Sequence, residues 1–392
     1  MTKSAKNPHH VLFASSQPEV LWKKSSPLLK AIDIELTERC NNNCRHCCIN
    51  LPEHDMAAQA KEMTTAQCKD ILRQAADLGA LTVRFTGGEP LLRNDFEELY
   101  LFARRLGMRV LLFTNGRLIS PAIADLFSRI PPIERIELTV YGMTQATYEA
   151  VTRKKNSFAE FKAGLNRLLE RKIPFFVKGT LFPENRHEIN DFLSWAKRLP
   201  WMDSLPSFAM FLELRHRRDS MIKNKQIAKM RMTPDEGIKI LTMQPELYRE
   251  EMIKFCKNFL SQPTDMIFNC NASNTICIDA YGKIQYCLAL RHPNTVLDSR
   301  QYSLEHMVKK FIPELRSRRS RNADFLKRCA NCFLRNFCEG CPGKSWNEYG
   351  SLDQPVDYWC QIAHQQARYL KLIADEENAW EVKNWKERVM DL

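Results

Sequence analysis

The sequence predicts an α/β protein in which a parallel sheet wound with helices, over residues 31–215, precedes a small cysteine-rich α+β domain. Three observations predict it. Short apolar runs alternate six times with amphipathic helical stretches between residues 31 and 214, and parallel strands need such crossovers. The pattern then turns charged and helical over 216–262. From Phe268 onward only short strand-like pieces remain among closely spaced cysteines, too little apolar sequence for a large core and in need of metal staples.

The strands are read at AIDIELT (31–37), LTVRFT (81–86), RVLLFT (109–114), RIELTV (135–140), IPFFVKGT (173–180) and SFAMFLEL (207–214), each short and rich in β-branched or aromatic residues. A helix starts near Thr64, where Thr64 and Gln67 have capping-box spacing, and stops at Gly79. Others start at Asn94 or Asp95 and cover 120–130, 144–171 and 187–198. An open six-stranded βα barrel and a doubly wound sheet both satisfy this order, and both set the ligand site at the C-terminal ends of the strands. The expected divisions are an extension (1–30), the βα core (31–215), a helical linker (216–265), the cysteine-rich domain (266–365) and a C-terminal helix (366–392).

Fourteen cysteines stand in 392 residues. No run of eighteen apolar residues suggests a membrane span, and the N-terminus lacks the apolar region of a secretory signal. A cytoplasmic location is therefore expected, where disulfides do not persist and metal or cluster ligation best explains the thiols. The net charge of +12 raises nucleic acid as a partner, but cluster thiolates offset part of it. The two basic runs, Arg215–Arg218 and Arg316–Arg321, read as solvated faces or as contacts to an acidic peptide or phosphate. Neither nucleic acid nor membrane is expected as a partner.

The first strand runs into ERCNNNCRHCC, where Cys40, Cys44 and Cys47 have the spacing C-x3-C-x2-C. Three thiolates hold three irons of a cubane and leave the fourth open, whereas a structural zinc closes with four ligands, here His46 or Cys48. One βα unit later comes Thr86-Gly87-Gly88-Glu89-Pro90, whose glycines allow close backbone approach to a ligand and whose carboxylate can receive an ammonium. Together these motifs resemble the radical S-adenosylmethionine superfamily over residues 31–214. The resemblance implies a partial (β/α)6 barrel, a [4Fe–4S] cluster on the three cysteines, and S-adenosylmethionine on its open iron. It further implies one-electron cleavage to a 5′-deoxyadenosyl radical that abstracts hydrogen from substrate. Gly87, Gly88 and Glu89 match the family's amino-group motif. Asn115, in Thr114-Asn115-Gly116, with Thr139, Tyr141 and Lys178 at later strand ends, are candidate cofactor contacts; turn, packing or solvent roles are the alternatives. His46 stands where the family often has an aromatic and is expected on the adenine side. Cys48 and Cys68 read as hydrogen donors or as inert thiols, and Arg215 as a substrate-carboxylate partner or a surface ion pair. No catalytic acid or base is identified.

A second constellation follows: Cys270-x11-Gly282-x4-Cys287, then Cys329-x2-Cys332-x5-Cys338-x2-Cys341, then Cys360. It is similar to the SPASM extension of radical enzymes that mature peptides, although the family's usual last spacing is x3. The resemblance implies two auxiliary clusters, one on Cys270, Cys287 and Cys341, the other on Cys329, Cys332, Cys338 and Cys360. Cys256 or Cys277 is available as the missing ligand of the first, Cys256 being preferred, or that iron stays open. Read alone, the paired C-x2-C spacings also suit zinc. The activity implied is oxidative modification of a ribosomally made peptide or protein, as a thioether, carbon–carbon crosslink, oxidised residue or epimer; the alternative is a small molecule such as a tetrapyrrole propionate. An external reductant of flavodoxin or ferredoxin type is expected. So is a separate leader-peptide-binding protein, because the segment before the first strand is short for a recognition domain.

Overall fold

The computed structural model describes residues 29–392 apart from 203, 205, 261, 270–274 and 339. The chain divides into two compact units. The first contains the described residues of Met1–Ala209, Ser273–Leu288 and Val296–Lys310; the second those of Met210–Ala272, Ala289–Thr295 and Phe311–Leu392.

In the first unit the six expected strands are β1 (Ala31–Thr37), β2 (Thr82–Gly87), β3 (Arg109–Thr114), β4 (Ile133–Val140), β5 (Phe176–Thr180) and β6 (Phe208–Ala209). The helices between them are α1 (Thr65–Asp77), α2 (Phe96–Arg105), α3 (Pro121–Arg129), α4 (Gln145–Thr152), α5 (Ser157–Glu170) and α6 (Ile189–Ala196). The six strands are parallel and lie side by side in chain order. A doubly wound sheet reverses its order at a switch point; this one does not, so every right-handed crossover sets its helix on the same face. That is a partial βα barrel.

Burial follows from the pleat. Val83, Phe85, Val110, Leu112, Ile136 and Leu138 are buried on the helix side, where Phe85 meets Phe96 of α2 at 6.2 Å and Phe96 meets Phe127 of α3 at 6.4 Å. The alternate positions turn to the inner face and carry charge. Arg84 pairs with Asp33 at 2.9 Å, Lys178 pairs with Glu137 at 3.3 Å, and both cations lie over the Phe113 ring.

Three features differ from expectation. The helix read over 144–171 is two helices: Arg153 ends α4 in the left-handed region (φ 56°) and Asn156 starts α5 at φ 63°. The last strand, read over 207–214, keeps ladder bonds only at Phe208–Ala209. And the hairpin of TICIDAYGKIQYC belongs to the barrel sheet. Its first strand, β7 (Thr275–Ile278), adds in parallel to the free edge of β1, and β8 (Lys283–Gln285) and β9 (Val296–Asp298) extend the sheet antiparallel. The turn has Gly282 at φ +80°, and Asp279 Oδ1 accepts the amides of Tyr281 and Lys283. Residues 275–288 and 296–310 therefore leave the cysteine-rich domain as it was bounded from sequence.

The second unit contains α7 (Met221–Met230), α8 (Pro234–Leu241), α9 (Pro245–Phe259), α10 (Pro342–Tyr349), α11 (Asp357–Tyr369) and α12 (Trp385–Met390). The segment read as a linker supplies its core: Tyr248 and Cys256 of α9 pack with Cys332, Phe333, Leu370 and Val389 in one apolar cluster. The cysteine-rich region thus has a hydrophobic core of its own. The C-terminal helix begins earlier than expected, at Asp357, and stops at Tyr369 because Lys371 turns left-handed (φ 62°) and Leu372 N returns to Ala367 O.

The first basic run is not a solvated face. Arg215, 3% exposed, is bound to Asp219, and Arg218 donates to the carbonyls of Trp346 and Asn347 at 2.8 and 3.0 Å. Arg215 accordingly has an ion-pair partner within its own unit. In the second run Arg318 pairs with Glu314 and Arg319 with Asp265. His216 Nε2 lies 2.7 Å from Glu213 Oε2. Burial alone would raise the Glu213 carboxyl, but the His216 hydrogen bond and the charges of His216, Lys344 and Arg231 outweigh it and hold it at about 2. A depressed folded-state pKa stabilises above the unfolded value of 4.5 and loses that contribution as pH falls toward 2. We expect Glu213→Gln to cost about 2–3 kcal/mol at neutral pH. Urea unfolding across this pH window should show a smaller acid slope in the variant than in the wild type; parallel slopes would refute the assignment.

Candidate functional site

The cysteine loop leaves β1 at its C-terminal end and is clamped to the barrel from several sides. Arg39 and Cys40 pair with Leu51 and Pro52 in a separate two-stranded ladder. The Arg39 guanidinium is bidentate on Glu62, at 2.8 and 3.1 Å. Asn43 N donates to Thr152 O at 2.9 Å, and Arg117 donates to Asn41 O and Asn42 Oδ1. The β7–β8 turn also reaches it, through Tyr281 Oη to Glu38 Oε2 at 3.1 Å.

Cys40, Cys44 and Cys47 line one cavity of about 150 Å³. His46 and Asn50 of the loop add to it, and the remaining wall comes from the ends of successive strands: Thr86, Gly87 and Gly88 at the end of β2, Phe113, Thr114 and Asn115 at the end of β3, Thr139 and Tyr141 at the end of β4, and Lys178 of β5. Every cofactor candidate read from sequence lies here except Glu89. That carboxylate is fully buried behind the wall, accepting Thr114 Oγ1 and Asn115 N at 2.8 Å each and Leu91 N at 3.2 Å. Burial pushes it up to about 7 against those donors. Instead of facing a ligand, Glu89 ties the end of β2 to the end of β3. Glu89→Gln turns one acceptor into a donor facing Thr114 or Asn115 N–H. We expect a loss of about 2 kcal/mol in urea unfolding and weaker cofactor binding by calorimetry, whereas unchanged values for both would show that the carboxylate does not organise the wall.

The two glycines also act differently from expectation. A Cβ on Gly87 would stand 2.1 Å from Thr37 O, and one on Gly88 would stand 2.2 Å from Arg39 O. Gly88 N donates to Thr37 O at 2.7 Å and Glu89 N to Arg39 O at 2.9 Å. Their close approach is to the backbone that launches the cysteine loop.

The thiols suit a cationic core. Burial pushes Cys40 well above its ordinary value, with Cys44, Glu89 and Cys47 adding to the rise against the Asn42 amide. Ionising such a group needs positive charge nearby, which the irons of a bound cluster would supply. Asn42 N and Asn50 N point at the sulfurs of Cys40 and Cys47, each at 3.4 Å. Among the described residues no three His, Cys, Asp or Glu side chains close around a point fit for a single ion; a cubane takes thiolates from around a wider body. His46 lies 4.6 Å from Phe182 and 5.8 Å from Tyr141 on the cavity wall. Burial lowers Lys178, partly countered by Glu137.

In the second unit Cys329, Cys332, Cys338, Cys341 and Cys360 line another cavity. The thiols of Cys329, Cys332 and Cys360 are raised first by burial and next by the neighbouring Cys338. Cys287 lies in the first unit just beyond β8, and Cys270 falls outside the described residues. Cys256 packs in the apolar cluster, where burial pushes it up to about 12, and Cys277 is buried in β7 opposite Asp33 of β1. Neither lines this cavity.

Residues 34–196 match the family model of the radical SAM superfamily. This chain carries a radical SAM domain. That domain resembles the AdoMet-dependent heme synthase of Nitratidesulfovibrio vulgaris, 29% identical over 174 residues, which are 44% of this chain and 46% of that protein. It also resembles the PqqA peptide cyclase of Gluconobacter oxydans, 32% identical over 165 residues, 42% of this chain and 45% of that one. The matched stretch thus spans a little under half the length of these relatives. The fold extends further. Streptococcus suis SuiB bound to S-adenosylmethionine superposes on 86% of this chain and 78% of its own, with a TM-score of 0.63 at 17% identity. The anSMEcpe enzyme with bound AdoMet superposes on 86% of this chain and 96% of its own, with a TM-score of 0.62 at 14% identity. The matched stretch contains Cys40, Cys44, Cys47 and the glycine pair. Sequence reasoning missed Thr86 and Phe113, which share strand parity with the inner-face residues, and Arg117 and Asn41, which brace the loop. Among the described residues no helix is long and apolar enough to cross a membrane.

Proposed function

We propose that this protein binds a [4Fe–4S] cluster through Cys40, Cys44 and Cys47, cleaves S-adenosylmethionine there, and oxidatively modifies a ribosomally made peptide or protein. The observation that carries the reading is the convergence of three thiols and the ends of four successive strands on one cavity. When bound, the cluster supplies one electron to the sulfonium and thereby the 5′-deoxyadenosyl radical. The protein's part is to orient and enclose. Gly87 and Gly88 fix the loop, Asn115, Thr139 and Tyr141 offer polar groups along the wall, and Lys178 offers a cation to a carboxylate. The aromatic flank of His46, Tyr141 and Phe182 keeps water from a primary radical.

We further assign Cys329, Cys332, Cys338 and Cys360, which line one cavity, to an auxiliary cluster of a SPASM-type domain; a second auxiliary cluster on Cys270, Cys287 and Cys341, with Cys256, Cys277 or an open iron in the fourth place, rests on the sequence resemblance alone. A flavodoxin or ferredoxin would deliver the electron, and a separate protein would present the leader of the substrate. The peptide reading is supported by a fold shared with SuiB and anSMEcpe over most of the chain, both of which have been seen with peptides bound. A second reading, action on a tetrapyrrole propionate, is favoured by the likeness to heme synthase. Anaerobically reconstituted, reduced protein is expected to form 5′-deoxyadenosine from S-adenosylmethionine, and faster with its substrate than without. Peptides encoded beside the gene and propionate-bearing tetrapyrroles form the two arms; stimulation by the tetrapyrrole alone overturns the peptide assignment, and no 5′-deoxyadenosine in either arm overturns both.

A further inference from the structure

The two cysteine cavities differ in what donates to their sulfurs. At the first, the donors on Cys40 and Cys47 are neutral: the Asn42 amide and, at 3.8 Å, the Asn115 side-chain amide on Cys40, and the Asn50 amide on Cys47, while the buried Glu89 carboxylate acts on Cys40 as a like charge. At the second, a backbone amide reaches Cys338 from Gly340 at 3.3 Å, but Cys360 is addressed by two side chains. The Arg328 guanidinium lines this cavity with Cys360 and acts on its thiol as a positive charge, while it pairs with Asp357 at 2.7 Å and stacks 5.0 Å from the Trp380 ring centroid. His364 Nδ1 lies 3.6 Å from the same sulfur and 2.8 Å from the Cys360 carbonyl. Its tautomer follows from the far side of the ring: Nε2 accepts the Ala379 amide at 3.1 Å, so the neutral ring carries its proton on Nδ1, toward Cys360. Two further cations, Arg335 and Lys344, line the same cavity, Arg335 fixed by the carbonyls of Thr264 and Met266 at 2.8 and 2.9 Å.

We propose that Arg328, seconded by His364, raises the reduction potential of the cluster held by Cys329, Cys332, Cys338 and Cys360 and so makes that cluster an electron acceptor. The inference rests on the iron–sulfur reading of this cavity given above. Reduction adds negative charge to a cluster that is already anionic with four thiolates. N–H groups and cations at the sulfurs stabilise the reduced state more than the oxidised one, which moves the potential upward. Such an acceptor closes the electron count of an oxidative modification. The deoxyadenosyl radical removes one hydrogen atom from a substrate carbon. Forming the new bond then removes one electron and one proton; the electron takes the cluster from [4Fe–4S]2+ to [4Fe–4S]1+, and the proton passes to solvent. Arg328 and His364 are positioning residues here, because they act through the Cys360 sulfur.

The test is a redox titration followed by electron paramagnetic resonance on full-length, reconstituted protein with Cys40, Cys44 and Cys47 replaced by alanine, so that the signal comes from the C-terminal region. Arg328→Gln is expected to shift the midpoint to more negative potential at unchanged iron content, and Arg328→Lys to restore part of the shift. Asp357→Asn removes the carboxylate that neutralises Arg328 and is expected to shift the midpoint the opposite way. If Arg328→Gln loses its iron, the sign of the Asp357→Asn shift decides the matter. Iron-replete Arg328→Gln and Asp357→Asn proteins with the parent midpoint would overturn the role of Arg328. A triple-alanine parent that binds no iron would overturn the cluster reading of this cavity itself.

Discussion

Replacing any one of Cys40, Cys44 and Cys47 with alanine is expected to abolish 5′-deoxyadenosine formation and to remove one cluster's worth of iron per chain. The reason is geometric and electrostatic together. All three thiols line one cavity, and burial, with the neighbouring Cys44, Glu89 and Cys47, pushes the Cys40 thiol well above its ordinary value. Only a cationic core offsets the cost of three thiolates set side by side, two of them buried, and a cubane that loses one of three protein ligands exposes a second iron to solvent. The control is Cys68→Ala. Cys68 is fully buried in α1, where burial pushes its thiol up to about 11, and it lines neither cysteine cavity. It behaves as a small apolar residue, so its loss should cost about 1 kcal/mol of stability and leave iron and activity intact. Iron and sulfide per chain, the visible absorption of the cluster, and chromatographic measurement of 5′-deoxyadenosine check both. A Cys44→Ala protein with wild-type iron and full cleavage would remove the basis of the proposed function.

Much of this site was legible in the sequence because its signals are local. The spacing of the three cysteines, the strand before them and the glycine pair one βα unit later all sit within a few residues of their structural consequences. Thr139, Tyr141 and Lys178 were legible for a related reason: strand ends in a βα barrel converge wherever they come from. What was not legible depends on contacts between distant segments. Nothing local to TICI says that it adds to the edge of β1, because its partner lies more than two hundred residues earlier. The same holds for the basic run at Arg215–Arg218, which reads as a charged surface until Asp219 and the carbonyls near Trp346 fold against it. Glu89 shows a third kind of failure. Its motif was recognised, but a carboxylate beside two glycines reads equally as a ligand group and as a brace, and only the positions of Thr114 and Asn115 distinguish them.

Gly88→Ala is expected to be among the most damaging single substitutions in the first unit, and a comparison with Gly107→Ala shows why. At Gly107 the backbone is left-handed (φ +81°) but nothing lies within 4 Å of the position a methyl would take, so alanine meets strain alone, about 1 kcal/mol. At Gly88 the methyl would stand 2.2 Å from Arg39 O and 2.6 Å from Glu38 O. Neither oxygen can yield, because Arg39 O accepts Glu89 N and Arg39 is in ladder with Leu51. Relief requires pulling β2 away from the cysteine loop, which breaks the bonds from Gly88 N to Thr37 O and from Glu89 N to Arg39 O. Two buried backbone hydrogen bonds and an overpacked contact together come to about 4 kcal/mol or more. Since Cys40 follows Arg39 directly, the displacement also moves the first thiol, so iron incorporation should fail even where the fold survives. Urea unfolding and iron content of the two variants side by side test this: Gly107→Ala should stay near wild type in both, and a Gly88→Ala protein matching it would show that the end of β2 is not what holds the cysteine loop in place.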